Sequence, residues 1–433
     1  MDFQQGLSGL NATSRNLEVI GNNVANANTY GSKSSRAEFA DMYAGAVSGT
    51  GTGNIGTGVR LATVSQQFSQ GGLTTTSNPL DLAINGAGFF QVKDNNGQPL
   101  YTRNGEFKVD SDGYVVNNDG YKLQGYAADP NGAIVPKATS ALQLPTKGIA
   151  PQATSKITMD MNLDSRSDVT KPTTGDAINF DDPKTYNNAT STSVYDVTGQ
   201  QVALTYYFQK DSVDAASGDV TWNVFATANG TSVSTDAAGK PSAVTQIKFP
   251  ISGAAPLPPL DQPITLPDIP ATTKTVGGVT STVSQKISGI TLDVSKSTQF
   301  GTAFSVSDLQ PNGYAPGQLG SVSIGKDGVI SASYSNGKTM AVGQLELANF
   351  RNPQGLQPLG SNVWAKTPAA GEPITGTPTT GNLGSLQSGS LEDSNVDLTA
   401  ELVNMITAQR AYQANAQTIK TQDQVLQTLV SLR

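Results

Sequence analysis

Residues 395–433, NVDLTAELVNMITAQRAYQANAQTIKTQDQVLQTLVSLR, contain neither proline nor glycine. Leu398, Leu402, Met405, Gln409, Tyr412, Ala416, Ile419, Asp423, Leu426 and Val430 keep one register of alternating fours and threes, and eight of these ten are apolar. That is a heptad row, so the stretch predicts one long helix. Asn395 or Asp397 can cap its start, and Glu401 suits its first turn. Working back to the other terminus, Phe3, Leu7, Leu10, Ser14, Leu17, Gly21 and Val24 repeat the spacing. A second helix is predicted there. It runs into GNNVANANTYG (21–31), where Asn competes with the helix for backbone groups. Asn28, Thr29 and Gly31 suit the helix exit, because Asn and Gly tolerate the left-handed conformation.

The exposed faces predicted for the C-terminal helix carry Gln409, Gln413, Asn415, Gln417, Gln422, Gln424 and Gln427 rather than the usual Glu and Lys. Neutral amides can meet the amides of another chain without the desolvation cost of charges. A helical hairpin closing one domain on itself is the plainer reading. The amide-rich surface favours self-assembly.

Composition narrows the function. The 433 residues suffice for two or three domains, and the net charge of −7 argues against nucleic acid. No apolar run reaches membrane-spanning length, so no membrane insertion is expected. Cysteine and histidine are absent, which removes thiol and imidazole catalysis, the commonest zinc sites and disulfides. No cofactor and no metal site is expected, and an enzyme is disfavoured. MDFQQGLSGL carries an acid and no basic region, unlike a Sec-type signal. The chain is expected in the cytoplasm, or exported without a cleaved signal.

Between the helical ends lie short alternating runs broken by NG and DG, as in Leu80–Tyr126, SVYDVTGQQVALTYYFQKD and TWNVFATA. They predict antiparallel hairpins in barrels or sandwiches. Gly45–Gly58 reads as a flexible linker, and Ala255–Pro270 as a stiff surface crossing in a β domain. Gly51, Gly53 and Gly56 spell G-x-G-x-x-G without the strand and helix a dinucleotide site needs. Asp110–Gly113 and Asn336–Thr339 read as turns rather than as a calcium loop and a phosphate loop.

The termini LSGLNATSRNLEVIGNNVANANTYGSK and LEDSNVDLTAELVNMITAQRAYQANAQTIKTQDQVLQTLVSLR resemble those of bacterial flagellar rod and hook proteins. The similarity continues through LDLAINGAGFFQV, YTRNGEFKVDSDGYVVNNDGYKLQGY and NGYAPGQLGSVSIGKDGVISASYSNGKTMAVGQLELANFRNPQGL. A large insertion at about 151–312 points to the hook branch of that family. Ser32 stands where the family commonly has Phe. A distal rod subunit is the alternative, and a soluble enzyme a remote third.

The resemblance implies a mainly β fold with terminal α-helices. The expected division is a coiled-coil-like helical assembly domain (1–70, with its linker, and 391–433), an inner all-β domain (71–150 and 313–390) and an inserted outer all-β domain (151–312). It implies a curved, flexible helical tube around a central export channel, joining rod to filament as a universal joint outside the cell. Expected partners are further copies of the chain, the rod, the hook cap, the hook–filament junction proteins and the type III export apparatus. Helical termini so poor in charge are expected to be loose in the monomer and ordered in the polymer. The expected polymerisation residues are Phe3, Leu7, Leu10, Leu17, Asn22, Asn23, Val24, Asn26, Leu398, Leu402, Met405, Tyr412, Ala416, Ile419, Leu426 and Val430.

Overall fold

The computed structural model describes residues 3–43, 56–129, 132–172, 177–259, 262–276 and 279–431. Helix α1 (Phe3–Ala25) and helix α2 (Leu398–Ser431) stand at the ends. Among the described residues every other regular element is a strand or a short 3-10 turn. The fold is therefore the mainly β one with terminal helices that the sequence predicts. Asp397 rather than Asn395 caps α2: its carboxylate accepts from Thr399 N (2.9 Å) and Ala400 N (3.1 Å). At 1.5 Å per residue, α2 is about 51 Å long and α1 about 34 Å.

The chain divides into two units. The first is Met1–Thr146, Ser321–Ser333 and Thr339–Arg433, and the second is Lys147–Gly320 and Tyr334–Lys338. In the first, a sheet runs from Thr339–Leu345 through Lys122–Ala128, Phe89–Lys93 and Pro99–Thr102 to Val363–Ala365. One face of Phe89–Lys93 puts Phe90 and Val92 against Leu82, Leu123 and Leu345. The other puts Phe89 among Tyr101, Phe350 and Trp364, with Phe68 packed edge-on. A strand buried on both faces needs apolar residues at successive positions, which explains FFQV.

The first unit also holds an antiparallel ribbon of β1 (Ser35–Tyr43) and β2 (Gly56–Gln66). The sequence reading has only a linker there. Residues 45–55 of that expected linker, with Gly51 and Gly53, lie outside the described residues, and Gly56–Gly58 open β2.

The second unit is built on a meander of Asn188–Tyr195, Gln201–Val213 and Val220–Ala228. Val202, Leu204, Tyr206 and Phe208 alternate into its core beside Trp222 and Phe249. Ala255–Pro270 is more than a surface crossing, since Leu266 and Ile269 sit in this core. The turn chemistry is uniform. Asp110 accepts from Asp112 N (2.9 Å) and Tyr114 N (2.8 Å), and Gly113 takes φ +87°, which a side chain would resist. Asp94, Asn117, Asp196 and Asp236 repeat the side-chain pattern.

Candidate functional site

The terminal helices pack antiparallel in the first unit, and on α1 most of the contact is made by small and polar residues, with Ile419 of α2 lying over Gly6. A Cβ on Gly6 would lie 3.1 Å from Ile419, and one on Gly9 would lie 3.1 Å from the Asn415 amide. Asn415 Nδ2 donates to Thr13 Oγ1 (3.3 Å), Ala408 is buried, and Asn23 Nδ2 donates to Glu401 Oε1 (3.0 Å). On α1 the row that meets α2 is Gly6, Gly9, Thr13, Ile20 and Asn23. It precedes the predicted row Leu7, Leu10, Ser14, Gly21 and Val24 by one residue, about 100° around a helix. The helices, β1 and β2 leave between them a cleft of about 740 Å³, lined by Asn16, Phe39, Val59, Asn404 and Ala411 among others.

The larger apolar side chains are therefore left to the side. Leu7, Leu398, Leu402, Tyr412 and Leu426 are exposed, Leu402 at 45% and Leu426 at 50%. Leu10, Leu17, Val24, Met405, Ala416 and Ile419 are half-buried, Met405 and Ile419 on the side of α2 that turns towards α1. Phe3 and Val430 belong to the helices, and their side chains lie outside what is described. Val403, Ile406 and Val425, which the single-register reading omits, are exposed as well. They sit one position from the heptad row, and widening that row by one residue on each side would find them.

The asparagines separate. Asn22 is exposed, and Asn26 donates back to Asn22 O (2.9 Å). Asn23, another of the expected polymer contacts, is held within the chain. It is only 3% exposed, its Nδ2 donates to Ser35 O (2.8 Å) and Glu401, and its Oδ1 accepts from Ser35 N (2.8 Å). Both its donors are engaged inside the chain, where they tie the end of α1 to β1 and α2. Gly31 then turns the chain at φ +70°, where a Cβ would collide with Asn104 N at 2.4 Å.

Just beyond lies a charged cluster that sequence reading misses. Glu392 Oε1 accepts from Lys33 Nζ (2.6 Å) and Gly71 N (3.1 Å), and Oε2 accepts from Arg103 Nη1 (3.1 Å). Lys33 also donates to Ser69 O (2.8 Å), and Arg103 to Gly86 O (2.9 Å) while lying 5.3 Å over Phe89. The Lys33 and Glu392 side chains are fully buried and Arg103 nearly so. Burial pulls the Lys33 ammonium below the usual lysine range, and Glu392 opposes that pull. Burial acts in the same direction on Arg103. The sequence signal was faint: three isolated charges, each inside a stretch that carries the family resemblance.

Comparison with known proteins covers the same segments. Residues 3–33 match the model "Flagella basal body rod protein", and 83–163 match "Flagellar hook protein FlgE/F/G D1 domain". Residues 162–314 match "Flagellar basal body protein FlaE D2 domain", and 387–432 match "Flagellar basal body rod FlgEFG protein C-terminal". The chain is 40% identical to the flagellar hook protein FlgE of Salmonella typhimurium over 100% of both chains. It is 39% identical to that of Escherichia coli K12, again over all of both, and 31% to that of Borreliella burgdorferi over 99% of this chain and 98% of the relative. The Helicobacter pylori flagellar hook protein FlgE2 shares the fold, with a TM-score of 0.53 at 16% identity over 74% of this chain and 100% of that one. Matched from its first helix through its β units to its last, the chain belongs to the flagellar hook protein family.

Proposed function

We propose that the protein, a structural subunit of the flagellar hook, polymerises through the apolar flanks of α1 and α2. The carrying observation is the one-residue offset between rows. Mainly small and polar side chains, with Ile20 and Ile419, hold the two helices together, while Leu7, Leu398, Leu402, Val403, Ile406, Tyr412, Val425 and Leu426 remain exposed. Fully burying one such side chain is worth about 1.5–3 kcal/mol, so several per subunit supply a strong drive. A head-to-tail contact that does not close gives an open helical polymer.

In this reading the helices of 1–70 and 391–433 form the inner wall around an export channel. The β domains (71–150 with 313–390, and 151–312) stack outward and slide as the tube bends, since wet polar contacts are individually weak and exchangeable. The subunits leave through the type III export apparatus without a cleaved signal and assemble outside the cell beneath the hook cap, between rod and junction proteins. Negative-stain imaging of concentrated protein tests this. Curved tubes are expected, and monodisperse particles or uniformly straight tubes would overturn it.

A further inference from the structure

We infer that the first unit binds a small inorganic cation where its sheet forks, on the side-chain oxygens of Gln91, Gln124 and Glu346. Along one side of the strand Phe89–Lys93 the neighbour changes. Val92 and Lys93 pair with Leu123 and Lys122, whereas Phe89 and Phe90 pair with Ala348 and Leu347. The two neighbours run on to pair with each other, Gly125 opposite Leu345 and Tyr126 opposite Gln344. Each of these registers, carried one residue further, sets two of Gln91, Gln124 and Glu346 opposite one another. The backbone agrees, with Glu346 N donating to Gln124 O (3.5 Å). Side chains alternate across a sheet, so all three project from the face opposite Phe90, Val92, Leu123, Leu345 and Leu347.

Side chains directly opposite in a sheet lie about 5 Å apart at Cβ, so the three polar ends share one small volume. That volume is buried, since Gln124 is 0% exposed and Glu346 3%. It is also short of donors. Gln124 Nε2 donates to Lys122 O (2.9 Å), which leaves Oε1 buried with no donor, and Gln91 Oε1 is buried with none either. Glu346 Oε1 accepts from Tyr126 OH (2.9 Å). Of the two lysines next along this face, Lys122 turns its ammonium to the Tyr114 ring, 3.8 Å from the centroid, and Lys93 reaches neither amide oxygen. Buried acceptors without donors are costly, and a positive ion answers two amide oxygens and a carboxylate at once. Oxygen donors without nitrogen or sulfur select a hard ion, sodium, potassium or calcium, over a transition metal. The absence of cysteine and histidine therefore does not bear on this site, and none of its residues lies in the terminal helical segments.

Hydrogen exchange on the full-length chain in dilute solution, at one ionic strength, tests it. Sodium, potassium and calcium chloride are each compared with choline chloride, whose organic cation is too large for the fork. The amides of Phe89–Lys93 and Lys122–Ala128 are expected to exchange at least about tenfold slower in one of the inorganic salts, the effect of an ion at about ten times its Kd. The salt that protects identifies the ion. The strand Gln201–Val213 of the second unit should not respond. Glu346→Gln removes the charge and should abolish the protection, and Gln91→Met, at a half-buried position, should cut it by at least about threefold. Equal exchange in choline and in all three inorganic salts, the result if bound water supplies the donors, would overturn the inference. So would equal slowing in the second unit, or full protection retained by either variant.

Discussion

Asn23 and Asn22 are neighbours in sequence with opposite prospects. Asn23→Leu keeps the volume but strips partners from both backbone groups of Ser35 and from Glu401. A loss of about 1–3 kcal/mol is expected, measured as faster exchange at the Ser35 amide. Asn22→Leu, at an exposed position, should stay within about 0.5 kcal/mol. Two phenols give a pH test of the first unit. Burial, then the Glu346 carboxylate it bonds, pushes Tyr126 up to about 12, and burial with the Glu372 and Glu346 charges does the same for Tyr101. An unfolded tyrosine titrates near 10. The fold therefore favours the neutral phenols, a contribution fully present below about pH 10 and lost as pH rises towards about 12. Tyr126→Phe should make that loss shallower in denaturant midpoints measured at pH 8 and pH 11.5. Sequence pattern shows a residue's type and its neighbours along the chain. It could not show that Lys33, Arg103 and Glu392 meet, because no periodicity links three separate segments.

Elements were far more legible. The heptad rows gave both helices, since spacing along a helix is fixed by its geometry, and the NG and DG dipeptides gave the turns, since the positive φ that glycine supplies there is a local requirement. The faces were less legible. Each row marks an apolar flank, but Gly6, Gly9 and Ala408 decide which side comes closest to the other helix, and small residues carry little hydrophobic signal. The β1–β2 ribbon was missed because its exposed apolar residues Phe39, Met42 and Val64 keep no period of two, two register shifts cross it, and β2 opens from a glycine-rich stretch. Two substitutions separate the two faces of α2. Ala408→Leu overfills the buried contact and should destabilise the helix pair by about 1–3 kcal/mol, seen as reduced helical circular dichroism on mild heating. Leu402→Asp or Leu426→Asp changes an exposed position, so the thermal melt of the β core should hold while sedimentation shows no polymer. Normal polymers from either Asp variant would rule out the flank as the assembly surface.

For the whole molecule, the decisive feature is that the second unit's core can be removed without touching the first. Every residue of the core around Trp222 lies between 153 and 313, and none of the residues around Phe90 or Trp364 does. The excision points are already adjacent: Gln152 and Tyr314 exchange two backbone hydrogen bonds of 3.0 Å each. Just inside them Asn312 accepts from Ser155 N and Lys156 N (both 2.9 Å), a clasp that leaves with the excised segment. Replacing 153–313 by Asn-Gly would join the two bridged segments through a two-residue turn of the kind that antiparallel pairs favour. The shortened chain should keep the thermal transition of the first unit and still assemble, because the flanks of α1 and α2 are untouched. If the removed β domain supplies the sliding outer contacts, its polymers should be straighter and stiffer, with a longer persistence length in negative-stain images. A chain that folds but forms no polymer would place the assembly energy in the β domain rather than in the helices. Polymers of unchanged curvature would move the origin of bending to the first unit.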